Sequence, residues 1–424
     1  MTARRVAITG LGVVAPIGNS VDELLTNMAD GRSGVRRLPP ELACRLRSPI
    51  AATVDFEDCA HFDAPRLRML DRVSRLALAA AERAIADARL DFAKERRDRC
   101  GVFVGSSLGG AETTDDGYLR LYAQASERVN PYSVLAAMTN AAASWIAIEH
   151  ALSGPNLTFS TACSSSAVAL GEAARRIQHG DVDVMLAGGA EAPLTFGVLR
   201  AWEALRTLAT EDAGDPGASC RPFSLDRNGL VIGEGAAFLV LEEWQRAVGR
   251  GAAIHAELSG YGLVCDAGHI ARPSVQGQAS AMRAALDSAA LTPDAIGYIN
   301  AHGSATLQND ATETAAIKEV FGEQAYVIPV SSTKSMHGHL LGAAGALEFA
   351  IAVISLESGL LPPTMHLRVA DPACDLDYVP GRARTGVELR AVMSNSFAFG
   401  GTNAVLIAEA APDGCRQTTN SYVR

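Results

Sequence analysis

Cys163 lies in the run Thr161-Ala162-Cys163-Ser164-Ser165-Ser166, after an apolar, extended-looking stretch (Leu157 to Phe159) and at the head of an amphipathic segment that ends at Gly180. That spacing puts a thiol at the mouth of a helix. Unpaired backbone N–H groups and the positive end of the helix dipole there are expected to lower its pKa toward the nucleophilic thiolate. A cysteine among small residues is more often a small buried hydrophobe, so its companions carry the weight. Three further blocks hold chemistry-bearing side chains: Asn300 to Thr306 with His302, Ser332 to Glu348 with Lys334, His337 and His339, and Asn395 to Asn403 with Phe399-Gly400-Gly401. Each is placed beyond the end of an expected strand, where sites in α/β sheets collect. Singly, each His reads as well as a hydrogen-bonded loop residue; the joint occurrence is far more specific.

The elements that must position them alternate. Strands are expected at 6–9, 100–104, 182–186, 236–242, 296–300, 326–330, 391–394 and 404–408, with helices at 73–88, 132–151, 165–179, 278–290 and 342–358. Gly180 and Gly359 read as helix stops, and Asn228-Gly229 as a hairpin. Asp310 with Glu313 reads as a capping box for a helix running to Val320. The 342–358 segment is apolar almost all round, so it belongs between layers. Both halves place a Ser-Thr pair (Ser160-Thr161, Ser332-Thr333) after a strand and before an Ala-rich helix, weak evidence of an internal duplication. The pattern gives an α/β layered fold, with halves at 1–250 and 251–412 and a flexible tail at 413–424.

Composition bounds the function. Hydrophobic content of 48% with 20% charged residues describes a globular chain with ample core. A net charge of −10 argues against nucleic-acid binding. No secretory leader and no apolar run of the roughly 18 residues that span a membrane are expected. The eight scattered cysteines include no C-x-x-C pair, which points to reduced thiols in the cytoplasm and to no metal site.

These blocks, with the opening Val6 to Pro16 and the run Arg221 to Gly229, resemble the β-ketoacyl-acyl-carrier-protein synthases, most nearly the synthase II type and related polyketide ketosynthases. The likeness covers residues 4 to about 410. It implies the thiolase fold, two similar halves in five α-β-α-β-α layers, working as a dimer, and a decarboxylating Claisen condensation in fatty-acid or, by preference, specialised polyketide-type biosynthesis. No cofactor is implied, since substrates ride on the phosphopantetheine of an acyl-carrier protein. On the matching positions, Cys163 takes the acyl group, and His302 and His339 stabilise the enolate as neutral donors. Lys334 orients the site, paired with Glu348. The N–H groups of Cys163 and Phe399 form an oxyanion hole, with Phe399 also a gate, and Ser304 and Thr306 meet the phosphopantetheine arm. His337 stands where Thr is commoner and Ala398 where Gly is frequent; no catalytic role is assigned to His337. Arg66 and Arg68, in a segment with four arginines, are expected to dock the acidic carrier protein.

Other readings fit less well. Gly10-Leu11-Gly12-Val13-Val14-Ala15 matches a dinucleotide fingerprint, but Pro16 stands where its helix should begin. A cysteine hydrolase lacks its signature around Cys163. The initiating, acyl-CoA-using synthases carry His and Asn where this chain has two His. A non-catalytic chain-length-factor-like subunit lacks the nucleophile; an active subunit paired with such a partner stays open beside the homodimer.

Overall fold

The computed structural model describes residues 4–412; the expected tail at 413–424 and Cys415 lie outside them. Among the described residues there are twelve strands: β1 (Val6–Val14), β2 (Val35–Arg37), β3 (Ile50–Ala52), β4 (Cys100–Gly105), β5 (Asn156–Phe159), β6 (Val184–Glu191), β7 (Gly235–Glu243), β8 (Ala256–Cys265), β9 (Ile296–Asn300), β10 (Val330–Ser331), β11 (Ala391–Phe397) and β12 (Thr402–Ala410). Apart from the small β2–β3 ladder, they follow the order β10-β9-β11-β12-β8-β1-β7-β6-β4-β5. The two fivefold sets have one topology. Counted within its set, each reads first, fifth, fourth, second, third, and they meet at a two-residue β1–β8 pairing. Ser160-Thr161 and Ser332-Thr333 each follow the third strand of their set, so the weak duplication signal lies at equivalent places.

Strand periodicity builds the layers. In β7, Ala237, Leu239 and Leu241 point into one core, while Ala236, Phe238 and Val240 point into another. In β12, Ala404, Leu406 and Ala408 share the first core, and Val405 and Ile407 face a third. Alternate residues serve opposite faces because the strand period is two. The shared core holds the helices Ser165–Gln178 and Ala344–Ser358, back to back between the sheets. Outside lie the helix Arg72–Asp87 on one side and the helices Val275–Ala289 and Leu307–Phe321 on the other. This is the five-layer thiolase-like arrangement. Gly180 (φ +80°) and Gly359 (φ +68°) end the two central helices in the left-handed region, as read from the sequence.

Several expectations change. β1 extends to Val14, so the glycine-rich run is strand and not a phosphate loop. A Cβ on Gly12 would come within 2.0 Å of the Ala80 carbonyl oxygen, so the glycines admit the helix Arg72–Asp87 against the sheet. Gly12→Ala is expected to destabilise the fold by about 1–3 kcal/mol, as overpacked cores do, read as a lowered denaturant midpoint. Asn228-Gly229 is no hairpin: the segment makes single bridges, Leu208 to Leu230 and Ile232 to His339, and the Gly229 N–H donates to Ala305 O. The 132–151 stretch is two helices, Ser133–Ala137 and Ala141–Glu149, broken where the Gly109-Gly110 loop packs against Ala137 and Thr139. Of the expected strand Tyr326 to Val330, Tyr326 closes the 3-10 helix Gly322–Tyr326, 327–329 are turn and irregular, and only Val330 enters a two-residue strand. The 307–321 helix is capped by Thr306; Asp310 and Glu313 are buried inside it. Leu341–Ser358 is long and apolar enough to cross a membrane, contrary to expectation, but 89% of it is buried inside the protein.

Candidate active site

Cys163 sits in a 3-10 turn, Ala162–Ser164, that leads into the central helix Ser165–Gln178. The turn is stitched locally. Ala162 holds φ +53°, Thr161 N–H donates to Ser165 Oγ, and Ser165 and Ser107 hydroxyls donate to Ala162 O. Glu191, buried at the end of β6, accepts from the N–H groups of Ser107, Leu108 and Gly342. It thereby ties the loop after β4 to the turn that starts the other central helix. Sequence reasoning missed Glu191; its signal is a carboxylate closing an otherwise uncharged strand, MLAGGAE.

His302 follows β9. Glu313 accepts from the N–H groups of both His302 (2.8 Å) and Gly303 (2.7 Å), and Asn395 donates to the same carboxylate (3.2 Å). This buried clamp was also missed, because a Glu three residues after Asp310 reads as helix capping. Lys334 opens a single helical turn. Its ammonium pairs with Glu348 (2.5 Å), donates to His302 O (2.5 Å) and faces His302 Nδ1 at 3.4 Å. His339 arrives through an exchange with the 231–233 segment: its N–H donates to Val231 O and its carbonyl accepts from Gly233. Leu341 N–H donates to His339 Nδ1 at 3.2 Å.

The rings of His302 and His339 stand edge to face, 5.3 Å apart. The Cys163 sulfur and one nitrogen of each ring lie within 4.8 Å of one another. Both imidazoles are held well below the usual histidine range, by burial first and then by the Lys334 charge. They are neutral at physiological pH. With both Nδ1 atoms facing donors, the proton of each ring sits on Nε2. The trio resembles a metal-ligand set by spacing, but Nε2–H offers a cation no lone pair and the lysine repels it. The geometry makes two hydrogen-bond donors aimed at one place.

The expected low thiol pKa is overturned. Burial pushes Cys163 up to about 12; Lys334 and a hydrogen bond from the Phe399 N–H act in the other direction but do not outweigh it. Helix-mouth stabilisation of a thiolate loses here to desolvation. Alkylation of Cys163 by iodoacetamide should therefore keep rising through pH 8 to 10, where a free thiol with pKa near 8.5 levels off. Rates by peptide mass spectrometry that plateau near pH 8 would reject this.

A cavity of about 420 Å³ joins these groups to solvent, lined by Cys163, His302, His339, Phe399, Ser304 and Thr306 among others. Ser304 and Thr306 hydroxyls bond each other at 2.9 Å. His337 does not line it: the ring is fully buried, bonded to Thr333 Oγ1 at 2.9 Å. Gly400 and Gly401 take positive φ beside Phe399. Of the four arginines at 66–75, Arg72 and Arg75 are used internally, by Glu234 and Asp58. Arg66 pairs with Glu149, Arg68 is exposed, and neither lines the cavity. Its rim instead carries Arg206 and Arg272, which no sequence motif singles out.

Two family models match in tandem: the β-ketoacyl synthase N-terminal domain over residues 3–247 and its C-terminal domain over 255–368. The chain belongs to the β-ketoacyl synthase family. It is 43% identical to nodulation protein E of Rhizobium meliloti (strain 1021), over 95% of this chain and 98% of that one. It is 40% identical to 3-oxoacyl-[acyl-carrier-protein] synthase 2 of Coxiella burnetii (strain RSA 493 / Nine Mile phase I), over 96% and 99%. Among solved structures, the ishigamide ketosynthase/chain length factor superposes with a TM-score of 0.90 at 35% identity, covering 97% of this chain and 100% of that one. This β-ketoacyl synthase is thus a condensing enzyme, an acyltransferase of thiolase-like fold.

Proposed function

We propose that this synthase condenses an acyl group held on Cys163 with malonyl-acyl-carrier protein, and that Cys163, His302, His339 and Lys334 carry the reaction. The observation that carries this reading is the pair of neutral Nε2–H donors converging on one thiol. In the first half-reaction Cys163 Sγ attacks the thioester of an acyl-carrier protein. The tetrahedral oxyanion is held by the N–H groups of Cys163 and Phe399, and the Cys163 proton ends on the departing pantetheine thiol. In the second, malonyl-carrier protein loses carbon dioxide. The electron pair of the broken bond delocalises onto the thioester oxygen, where His302 and His339 donate. The resulting enolate carbon attacks the acyl carbonyl, and Cys163 leaves as thiolate and takes up a proton from solvent, which restores the thiol. Neutral donors suit this step, because a cation would grip the malonyl carboxylate in the ground state. Lys334, held by Glu348, stays behind the imidazoles and keeps the Nδ1 side of His302 occupied, as the Leu341 N–H does for His339. The phosphopantetheine arm lies along Ser304 and Thr306, and no other cofactor is needed. Incubation with acyl- and malonyl-carrier proteins should yield a 3-oxoacyl-carrier protein by mass spectrometry; a Cys163 that never gains the acyl mass would end this reading.

Between pathways, we favour a specialised polyketide-type route over primary fatty-acid synthesis. His337, Ala398 and the Ser304-Ala305-Thr306 run depart from the commoner pattern, and relatives include nodulation protein E and the ishigamide ketosynthase. A second subunit fits the surface at β5, an edge strand in this chain. Around it in sequence Tyr122, Val134, Ile148 and Leu157 are exposed, an apolar area typical of interfaces. A related chain-length-factor-like subunit is the alternative to a second copy; size exclusion of the chain expressed alone separates the two. The repeated strand order supports 1–250 and 251–412 as the two units of each subunit. Arg66 and Arg68, beyond the cavity rim, suit an acidic carrier protein. Reversing both to Glu should raise the KM for carrier-bound substrate about tenfold with kcat little changed; an unaltered KM removes them from the docking surface.

A further inference from the structure

We infer that Trp202 is the latch of the Phe399 gate and so sets which acyl chains reach Cys163; this rests on the reading of Phe399 as a gate over the nucleophile. Trp202 is on the helix Phe196–Leu205, one turn after Leu199, whose side chain is buried against Leu230, Ile232 and Leu341. Anchoring of Leu199 fixes the face on which Trp202 lies, and Trp202 packs on the same cluster. The indole lines the cavity and meets the Phe399 ring nearly parallel, at 23° and 6.0 Å between centroids. Phe399 itself lines the cavity beside Cys163. Its ring is held on Trp202 while its residue borders the nucleophile.

The rest of the loop is built to move about such an anchor. Gly400 (φ +85°) and Gly401 (φ +78°) follow Phe399 directly. Gly400 N–H donates to Ile270 O, and Asp266 N–H donates to Gly401 O, so a second loop lining the cavity is laced to the first. Ala398, just before, has a Cβ and restricts rotation to the glycine side. Swinging the Phe399 ring away from Cys163 must break the stack on Trp202. A short acyl group needs little of that motion and a long one needs all of it, so the stack discriminates by chain length. Aromatic pairs of this kind shift an equilibrium by roughly threefold to tenfold.

The test is the rate of Cys163 acylation, read by intact-protein mass spectrometry, with acetyl-, octanoyl- and palmitoyl-carrier proteins. Trp202→Ala should raise the palmitoyl-to-acetyl rate ratio roughly threefold to tenfold, and Trp202→Phe, which keeps a stacking ring, should leave it within about twofold of wild type. Phe399→Ala is the control for the gate. If it changes the ratio and Trp202→Ala does not, the latch is refuted while the gate stands; if neither changes it, Phe399 is no gate. Should Trp202→Ala fail to fold, a Trp145→Phe/Trp244→Phe variant leaves Trp202 as the sole tryptophan. Its emission should then change in step with palmitoyl acylation and not in a Phe399→Ala background, and constant emission overturns the proposal.

Discussion

Cys163→Ala should lower condensation by at least about a thousandfold while malonyl-carrier protein continues to lose carbon dioxide. The first half follows from chemistry: without the sulfur no thioester forms, and the two-step route collapses to a direct attack between two carrier-bound substrates. The second half follows from the geometry. The donors that face the developing enolate are on His302 and His339, and neither depends on the sulfur for its position. His302 is fixed by Glu313 and Lys334, and His339 by Val231, Gly233 and Leu341. Carbon dioxide release from malonyl-carrier protein, followed beside product mass, separates the steps. Equal loss of both would mean that the imidazoles do not act on the malonyl group.

His339→Ala should cost about 10²- to 10³-fold in decarboxylation, the scale for removing one preorganised donor from an oxyanion site. His339→Asn, which restores a neutral N–H, should recover much of that; His339→Lys should not, since it adds a cation beside the Lys334 ammonium. The pH dependence has a definite sign. An imidazole whose folded pKa is depressed stays neutral as pH falls through 6.5, so the donor pair is not lost in the ordinary histidine range. Decarboxylation by Cys163→Ala should show no histidine-type fall centred near 6.5, measured as carbon dioxide release. A drop centred near 6.5 would show an ordinary, solvated histidine and reject the neutral-donor account.

Much of this site is legible in the order of the amino acids. Cys163, His302, Lys334, His339, Glu348 and Phe399 are named by short blocks at strand ends, and all lie at or directly behind one cavity. Local pattern carries that far because strand ends and helix heads are set by nearest neighbours in sequence. Glu191 and Glu313 escape it for the opposite reason. Each acts by accepting N–H groups from segments far away or across a turn, and such partners have no local signature. The Asn228-Gly229 hairpin fails likewise: its neighbours 230–232 bridge to Leu208 and His339, so tertiary pairing overrides a strong turn signal.

The electrostatic outcome is the largest reversal. Residue types alone say that a helix mouth favours a thiolate, and that reasoning is sound for an exposed turn. Only the folded chain reveals that Cys163 is buried, so that desolvation outweighs the dipole and one ammonium. By itself the sequence set the candidate side chains at strand ends, gave them expected roles through its resemblance to the synthases, and carried a weak sign of two like halves, because side-chain identity and local spacing reach that far. The tertiary structure decided their protonation, the tautomer of each ring and the stack that holds Phe399 in place. Those depend on burial and on contacts that include Lys334 at His302 and Trp202 at Phe399, far apart in sequence, together with Leu341 at His339, two residues on.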